Sequence, residues 1–261
     1  MKNNDILIIC PVKSTDIKFH NNYDKNNHWI SSENKPYDLM ALRYNDEDIN
    51  ENNFDFIIKS KGQKWVMLKE AMKNFDFNNY KYIGIFDDDI ITDIWNIEKA
   101  LNIAKYYGLP AFQLSLLPES TFDHIQTVQN KNYDFTETSF IEIMMPFFRI
   151  DKFKKLLNFL KEYPELNLGY GIDFAFRDII EGNTYVIHCA TAFHPQRKSS
   201  IDNRINLGMN EMDNFFKIYY PKIIKKLYNR NPLLSGRSEY SAYKIHDYND
   251  IIHFINKRDG A

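Results

Sequence analysis

The chain has 261 residues, of which 44% are hydrophobic and 15% aromatic, so it is long and apolar enough to bury a substantial core. Its formal net charge of −2 excludes the strongly basic field that indicates a nucleic-acid partner. The two cysteines, Cys10 and Cys189, exclude a thiolate zinc site and a disulfide framework, and they predict a reducing compartment.

The first half of the chain alternates buried strands with amphipathic helices. Continuous apolar runs predict strands, and apolar residues at three- or four-residue spacing predict helices. Gly108 marks the end of the second helix. The predicted strands cover 5–12, 37–44, 54–58 and 81–86, and the predicted helices cover 61–75 and 94–107. This order indicates an α/β layered sheet.

The second half continues the alternation with longer polar stretches between its elements. Pro221 is expected to split the last helix, as the first residue of its second part. The predicted strands cover 111–116, 140–148 and 184–192, and the predicted helices cover 152–163, 173–180 and 210–230. There is no internal repeat and no low-complexity linker, so the sequence indicates one domain over 1–261.

Three consecutive carboxylates, Asp87, Asp88 and Asp89, end the strand predicted over 81–86. Because strand side chains alternate between faces, Asp87 and Asp89 are expected to point the same way, with Asp88 opposite. Like-facing carboxylates repel one another unless a cation lies between them, and Mg²⁺ or Mn²⁺ binds carboxylate and phosphate oxygens together. The pattern therefore predicts a site for a divalent cation and a diphosphate. The alternative is a solvated acidic turn, where aspartate is common.

Four motifs in this order resemble the GT-A class of nucleotide-sugar-dependent glycosyltransferases, and in particular a group of bacterial and plant GT-A-like proteins. The motifs are Lys64-Trp65, Asp87-Asp88-Asp89, Gly169-Tyr170-Gly171-Ile172-Asp173 and Val186-Ile187-His188. The resemblance covers residues 5–197 and implies a Rossmann-type mixed sheet flanked by helices. It further implies a nucleotide-binding half over 5–108 and an acceptor and metal half over 109–200, and we expect a C-terminal helical appendage over 201–261.

The resemblance implies transfer of a sugar from a nucleotide-sugar donor to a glycan or lipid-linked acceptor in bacterial surface polysaccharide synthesis, with Mn²⁺ or Mg²⁺ as cofactor. Asp87 and Asp89 would bind the metal, while Asp87 or Asp88 would meet the ribose or the metal shell. Asp173 would be the general base that removes the acceptor hydroxyl proton, which gives an inverting reaction. The alternative for Asp173 is the N-cap of the helix that follows it.

Two histidines compete for a distal place in the metal shell. The resemblance favours His188, in the strand predicted over 184–192, as a neutral imidazole ligand. His194 is the second candidate, and it lies near Arg197, whose guanidinium is expected to bind a phosphate. The alternative for His188 is an ordinary half-buried strand histidine.

The donor is expected where the parallel strands end, because ligands of open α/β sheets bind at that edge. Pro11, Val12 and Lys13 follow the first strand, and Lys64 lies near the start of the first helix, whose N-terminus favours an anion. Further candidates for donor contacts are Asp38, Arg43 and Lys61. The alternative for the lysines is a solvated helix surface.

Two other functions fit the same predicted sheet. A nucleotidyltransferase acting on sugar phosphates also uses carboxylates and Mg²⁺, but it requires a glycine-rich phosphate loop, and residues 10–15 contain no glycine. A non-catalytic carbohydrate-binding protein would keep the fold, although this chain retains all the candidate ligands. Sugar-nucleotide hydrolysis with Mn²⁺ distinguishes these classes.

The sequence also predicts a cytoplasmic location. No secretory signal is apparent, and no apolar run approaches the length that crosses a bilayer. The last predicted helix carries basic residues beside an apolar stripe, and such a helix normally packs that stripe on the sheet. The alternative is peripheral attachment to anionic lipid at the inner membrane face. The basic residues are Lys217, Lys222, Lys225, Lys226 and Arg230.

Overall fold

The computed structural model describes residues 4–13, 18–44, 49–122, 124–195, 202–228 and 242–243, with side chains over 206–219 in the last helix. The strands are β1 (Ile6–Val12), β2 (Asp38–Arg43), β3 (Phe56–Lys59), β4 (Tyr82–Ile85), β5 (Ala111–Leu116), β6 (Phe135–Thr138), β7 (Phe147–Arg149), β8 (Thr184–Ala192) and β9 (Ala242–Tyr243). The helices are α1 (Lys64–Asn74), α2 (Ile94–Tyr107), α3 (Ile150–Glu162), α4 (Phe176–Ile180) and α5 (Asp202–Tyr228).

One mixed sheet forms the centre of the molecule, in the strand order β3-β2-β1-β4-β7-β5-β8-β6-β9. Strands β1 to β4 run parallel to one another, and β5 is parallel to β8. Strand β7 lies antiparallel between β4 and β5, and β6 is antiparallel to β8. The predicted fold class, a mixed α/β sheet flanked by helices, is confirmed at this level.

Strand β1 is buried along its whole length because helices cover both faces of the sheet. Ile6, Ile8 and Cys10 enter the core that α2 covers. Leu7 and Ile9 enter a second core, to which α1, α3, α4 and α5 contribute. The continuous apolar run in the sequence thus follows from a strand that has no solvent-facing side.

The ends of α2 are set by two residues that the sequence makes recognisable. The side chain of Asp93 accepts a hydrogen bond from the N–H of Asn96 at 2.9 Å and so caps the first turn. Gly108 ends the helix in the left-handed conformation, with a φ of 65°. The prediction of a helix over 94–107 is confirmed, and its N-cap lies directly after the acidic segment.

The strand predicted over 140–148 is wrong, because β7 starts only at Phe147. In the segment before β7, the carbonyls of Pro146 and Met144 accept from the N–H groups of Ile85 and Asp87, and side chains satisfy further backbone groups. Gln113 Oε1 accepts a hydrogen bond from the N–H of Glu142 at 2.5 Å, and Lys64 Nζ donates to the carbonyl of Ile143 at 2.5 Å. The sequence also missed β6, which lies in a stretch interpreted as loop and pairs with β8.

Helix α5 begins at Asp202, before the predicted start at 210, and continues through Pro221 without a break. The split expected at Pro221 is therefore wrong. Phe215 and Tyr219 are buried, and the Tyr219 ring lies 5.1 Å from that of Phe159 in α3. Within the parts of the chain that the structure describes, no helix is long and apolar enough to cross a membrane.

Candidate functional site

The carboxyl ends of β1 and β4 meet at one edge of the sheet. The N–H of Phe86 donates to the carbonyl of Ile9 at 2.9 Å. Beyond the strands, the N–H of Lys13 donates to Asp88 Oδ2 at 3.1 Å. Pro11 and Val12 are buried, so a ligand at this edge would meet their backbone, whereas the Lys13 side chain is exposed.

The three aspartates form a turn and not the end of a strand. Strand β4 ends at Ile85, and the N–H of Ile90 donates to the carbonyl of Asp87 at 3.3 Å. Strand alternation therefore does not govern them, and the argument that placed Asp87 and Asp89 on one face does not apply. The turn is not solvated either, because the side chains of Asp87 and Asp89 are 21% and 16% exposed.

Lys64, the first residue of α1, neutralises Asp87. Lys64 Nζ lies 2.7 Å from Asp87 Oδ1 and donates to the carbonyl of Ile143. It also stands 5.7 Å from the centre of the Trp65 ring, within the range of a cation–π contact. The predicted partner of Lys64 is a diphosphate, whereas its partner in this structure is Asp87 of the acidic turn. The protein itself compensates Asp87, which argues against Asp87 as a direct metal ligand.

Replacing Lys64 with methionine is expected to lower the free energy of unfolding by about 3 kcal/mol, because the largely buried Asp87 carboxylate then loses the ammonium group that lies 2.7 Å from it. Adding Asp87→Asn should recover most of the loss in a double-mutant cycle measured by chemical denaturation. The control is Lys73→Met, which breaks an exposed pair with Glu70 and should cost less than about 1 kcal/mol. Equal losses for the two lysine variants would contradict this account.

The charged form of Asp88 is disfavoured by its surroundings. Burial raises its pKa to about 6, and the nearby charges of Asp89 and Asp87 add to the effect. The hydrogen bond from the N–H of Lys13 acts in the opposite direction. The ionised form is therefore held at neutral pH against a net cost, which an added cation would reduce.

We expect Asp88→Asn to stabilise the metal-free protein at pH 7.5 by about 2 kcal/mol. The pKa of Asp88 is raised from 3.8 to about 6 by folding, so the folded state binds this proton more tightly. The stability that the protonated Asp88 gives the parent is complete below about pH 4 and is lost as the pH rises through about 6, so the advantage of Asp88→Asn appears only above that range. Melting temperatures in EDTA across this range measure the effect, and a difference that persists at pH 4 would count against it.

His194 stands beside Asp89, with Nε2 3.7 Å from Asp89 Oδ1. The N–H of His194 donates to Ser120 Oγ at 3.2 Å, and its ring Nδ1 lies 3.1 Å from the carbonyl of Thr121. A carbonyl oxygen only accepts, so Nδ1 carries a hydrogen. In the neutral ring the Nε2 lone pair then faces the Asp89 carboxylate.

This pair fits a divalent cation. Metal-binding histidines usually donate their second ring N–H to a carbonyl, as His194 does to Thr121. Asp89 Oδ1 and His194 Nε2, 3.7 Å apart, are an oxygen and a nitrogen donor that would hold a divalent cation between them. In the described ranges, no group of three or more His, Cys, Asp or Glu side chains is arranged to hold a metal. A hard cation also binds phosphate and water oxygens.

Both ring nitrogens of His188 form hydrogen bonds with residues outside the acidic turn. Nδ1 accepts from the N–H of Asn130 at 3.2 Å, and Nε2 lies 3.0 Å from Thr136 Oγ1. Burial lowers the pKa of His188 to about 4, so the ring is neutral at neutral pH. The preference for His188 over His194 as metal ligand is therefore wrong, and the strand-histidine alternative describes it.

Asp173 lies in a short 3-10 helix, Ile172–Ala175, that leads into α4. Its Oδ1 accepts a hydrogen bond from the N–H of Phe174 at 3.1 Å. Gly171 occupies the N-cap position, so the N-cap alternative for Asp173 is wrong. Phe174 is 48% exposed, which places this segment at the surface, where an acceptor has access.

Helix α1 links the Asp173 segment to the acidic turn. A Cβ on Gly169 would lie 1.9 Å from Trp65 Nε1, so a side chain at 169 is excluded by the indole beneath it. Trp65 follows Lys64, which holds Asp87. Three of the four motifs that carried the resemblance are thus in contact through one helix.

Sequence reasoning missed Trp29, which supports the acidic turn. Trp29 is fully buried, its Nε1–H donates to the carbonyl of Ile90 at 2.8 Å, and its ring lies 5.2 Å from that of Phe86. Its backbone N–H donates to the carbonyl of Thr92. The signal in the sequence is a tryptophan within a polar stretch, because so large an apolar side chain is normally buried.

Of the further candidates for donor contacts, Arg43 ends β2 beside Val12, whereas Asp38 lies at the other end of that strand. Asp38 begins β2, at the opposite edge of the sheet, and accepts hydrogen bonds from Asn4 and from the Tyr80 hydroxyl. Arg43 pairs with Glu51 at 3.5 Å, and Lys61 is exposed. Asp38 is therefore excluded from the site. Arg197 lies outside the described residues.

Two clefts in the described surface also lie away from the aspartates. One of about 460 Å³ lies between β3 and α1, and one of about 250 Å³ is lined by residues of α5 and by Tyr163 and Leu166. Neither is lined by the residues of the acidic turn. The chemistry of the side chains, and not cavity size, locates the candidate site.

No protein-family model matches the sequence, and no curated protein matches it. Solved structures with a similar arrangement of elements include the A197 protein from STIV, at 14% identity over 74% of this chain and 86% of that one, with a TM-score of 0.42. S. aureus TarS 1–349 in complex with UDP-GlcNAc aligns at 9% identity over 75% of this chain and 60% of that one, with a TM-score of 0.46. This chain therefore spans less than two thirds of that TarS chain. The 4-diphosphocytidyl-2C-methyl-D-erythritol synthase from Anaerococcus prevotii DSM 20548 aligns at 9% identity over 79% and 95%, with a TM-score of 0.43.

Proposed function

We propose that this chain is a metal-dependent glycosyltransferase that moves a sugar from a nucleoside-diphosphate donor to a glycan or lipid-linked acceptor, in bacterial surface polysaccharide synthesis. The observation that carries the proposal is the Asp89–His194 pair, 3.7 Å apart, beyond the carboxyl ends of the parallel strands. A carboxylate and an imidazole at this edge suit a cation that also binds the two phosphates of a donor.

On the donor side, Asp89 and His194 would hold Mn²⁺ or Mg²⁺, which when bound neutralises the departing nucleoside diphosphate. Asp88, which accepts from the N–H of Lys13, would meet the ribose or the metal shell. The exposed ammonium of Lys13 and the guanidinium of Arg197 would supply positive charge to the phosphates. Lys64 keeps Asp87, and with it the turn, in place.

On the acceptor side, Asp173 would take the proton of the attacking hydroxyl. Its carboxylate is oriented by the N–H of Phe174, and it lies at the surface, where a glycan has access. A base that activates the acceptor directly gives an inverting reaction, because the hydroxyl then attacks the anomeric carbon opposite the leaving diphosphate. No covalent intermediate on the protein is required.

We place the enzyme in the cytoplasm, with α5 packed on the core. Phe215 and Tyr219 are buried on the inner side of α5, and Lys217 is exposed on the outer side. The side chains of Lys222, Lys225, Lys226 and Arg230 lie outside the described residues. Flotation with anionic liposomes at low and high salt tests the rival, peripheral attachment, which predicts salt-sensitive binding.

The proposal is tested with a panel of UDP- and GDP-sugars in a thermal-shift assay, with Mn²⁺ and with EDTA. A bound donor raises the melting temperature by mass action, and we expect this only with the metal. The stabilising donor is then incubated with the protein. Slow release of UDP or GDP supports a transferase, whereas release of pyrophosphate supports a nucleotidyltransferase. No metal-dependent stabilisation by any nucleotide sugar would overturn the proposal.

A further inference from the structure

Residues 164–171, here called the 164–171 loop, lead into Asp173 and are held by a carboxylate of α5. Glu211 Oε2 accepts from the N–H groups of Asn167 and Leu168 at 2.8 and 3.0 Å. Glu211 Oε1 accepts from the N–H groups of Gly169 and Tyr170 at 2.6 and 3.3 Å. Successive N–H groups that converge on one anion form a strong, charge-assisted arrangement, which we call the Glu211 cradle.

The carbonyl groups of the same loop are held from α1. Lys69 Nζ donates to the carbonyls of Pro164 and Leu166 at 2.7 and 2.8 Å. Burial lowers the pKa of Lys69, while the nearby Glu165 and Glu211 act in the opposite direction. The loop thus has its donors bound by an anion on one helix and its acceptors bound by a cation on another.

The loop also fits α5 by shape. A Cβ on Gly208 of α5 would lie 2.6 Å from the Tyr170 ring, so the ring packs directly on the helix backbone. Gly171 has a φ of 92°, and a Cβ there would lie 3.1 Å from Met212 and Phe215. Small residues on both sides let the loop and α5 approach closely, which limits the positions the loop can adopt.

We infer that Glu211 is a positioning residue that fixes the place of Asp173, so that α5 forms part of the active site. This inference rests on the proposed function, in which Asp173 is the base. Asp173 lies two residues beyond Gly171, so movement of the loop moves its carboxylate. The donor side is held by β1, β4, residues 120–121 and Lys64 of α1, and not by Glu211. Loss of the cradle therefore acts on turnover and leaves donor binding intact.

The test compares Glu211→Gln with the parent and with Asp213→Asn, an exposed carboxylate on the same helix. An amide has one acceptor oxygen, so Glu211→Gln cannot satisfy the cradle. We expect faster amide hydrogen exchange over residues 167–173 and hydrolysis or transfer slowed about 10²-fold, the scale of a misplaced catalytic group. Calorimetry should give an unchanged Kd for UDP with Mn²⁺, and Asp213→Asn should match the parent.

Each other outcome has a defined meaning. Unchanged exchange over 167–173 in Glu211→Gln would overturn the inference, as would full turnover. If UDP affinity, melting temperature and turnover all fall together, Glu211 has a general structural role, and the inference is also overturned. A parent protein that binds no nucleotide with Mn²⁺ refutes the proposed function, a result separate from the exchange measurement, which still decides whether the cradle orders the loop.

Discussion

The Asp89→Ala variant is expected to lose metal-dependent binding of UDP or GDP while it keeps its fold. Asp89 faces His194 across 3.7 Å, and it contributes the carboxylate of the pair that suits a cation. Removal of even an indirect supporting group at a metal site costs about 10- to 100-fold in affinity, so loss of a direct ligand should weaken binding by at least about 10²-fold. Calorimetry with UDP or GDP in Mn²⁺ measures the effect.

Two further variants make this result specific. His194→Ala should weaken binding in the same way, because it removes the other member of the pair. Glu162→Gln removes an exposed carboxylate of α3 and should bind as the parent does. If Asp89→Ala binds UDP and GDP with the parent's affinity in Mn²⁺, the acidic turn is not a metal site. Circular dichroism confirms that the variants are folded.

The Asp173→Asn variant is expected to bind the donor normally but to transfer its sugar about 10²- to 10⁴-fold more slowly, the usual contribution of a positioned base. Asparagine keeps the side-chain oxygen that accepts from the N–H of Phe174, so the local structure should survive. The amide cannot take up the acceptor's proton at neutral pH. Steady-state transfer rates and donor affinity, measured on the same preparation, separate the two effects.

A different pattern would assign Asp173 another role. If donor affinity and rate fall together, Asp173 orders its segment and is not the base. If the rate is unchanged, the reaction does not require a base at this position, as expected for a retaining transferase. Asp213→Asn serves as the matched control, since Asp213 is an exposed aspartate on α5.

Helices and strands that are specified by residues within or next to them could be predicted from the sequence. A strand buried on both faces requires a continuous apolar run, so residues 5–12 identified β1 to within one residue. The boundaries of α2 follow from Asp93 and Gly108, two residues whose conformational preferences are intrinsic. Strand β8 likewise has the predicted bounds, Thr184–Ala192.

The details of the site depend on partners that are distant in sequence, and these could not be predicted. Nothing near Asp87 indicates that Lys64 reaches it, or that Lys64 also satisfies the carbonyl of Ile143. The choice between two histidines follows from long-range contacts, since Asn130 and Thr136 occupy the ring of His188. Sequence spacing contains neither fact, although it did identify the aspartates and both histidines as candidates.

Both halves of the site depend on the number of residues between Lys64 and Lys69 in α1. Lys64 holds the acidic turn, Trp65 supports Gly169, and Lys69 holds the loop that leads to Asp173. Each residue added to or removed from a helix rotates everything beyond it by about 100°. A one-residue insertion or deletion between Trp65 and Lys69 would therefore turn Lys69 away from its carbonyl partners while Lys64 stayed in place. During divergence this stretch can exchange side chains but not change length.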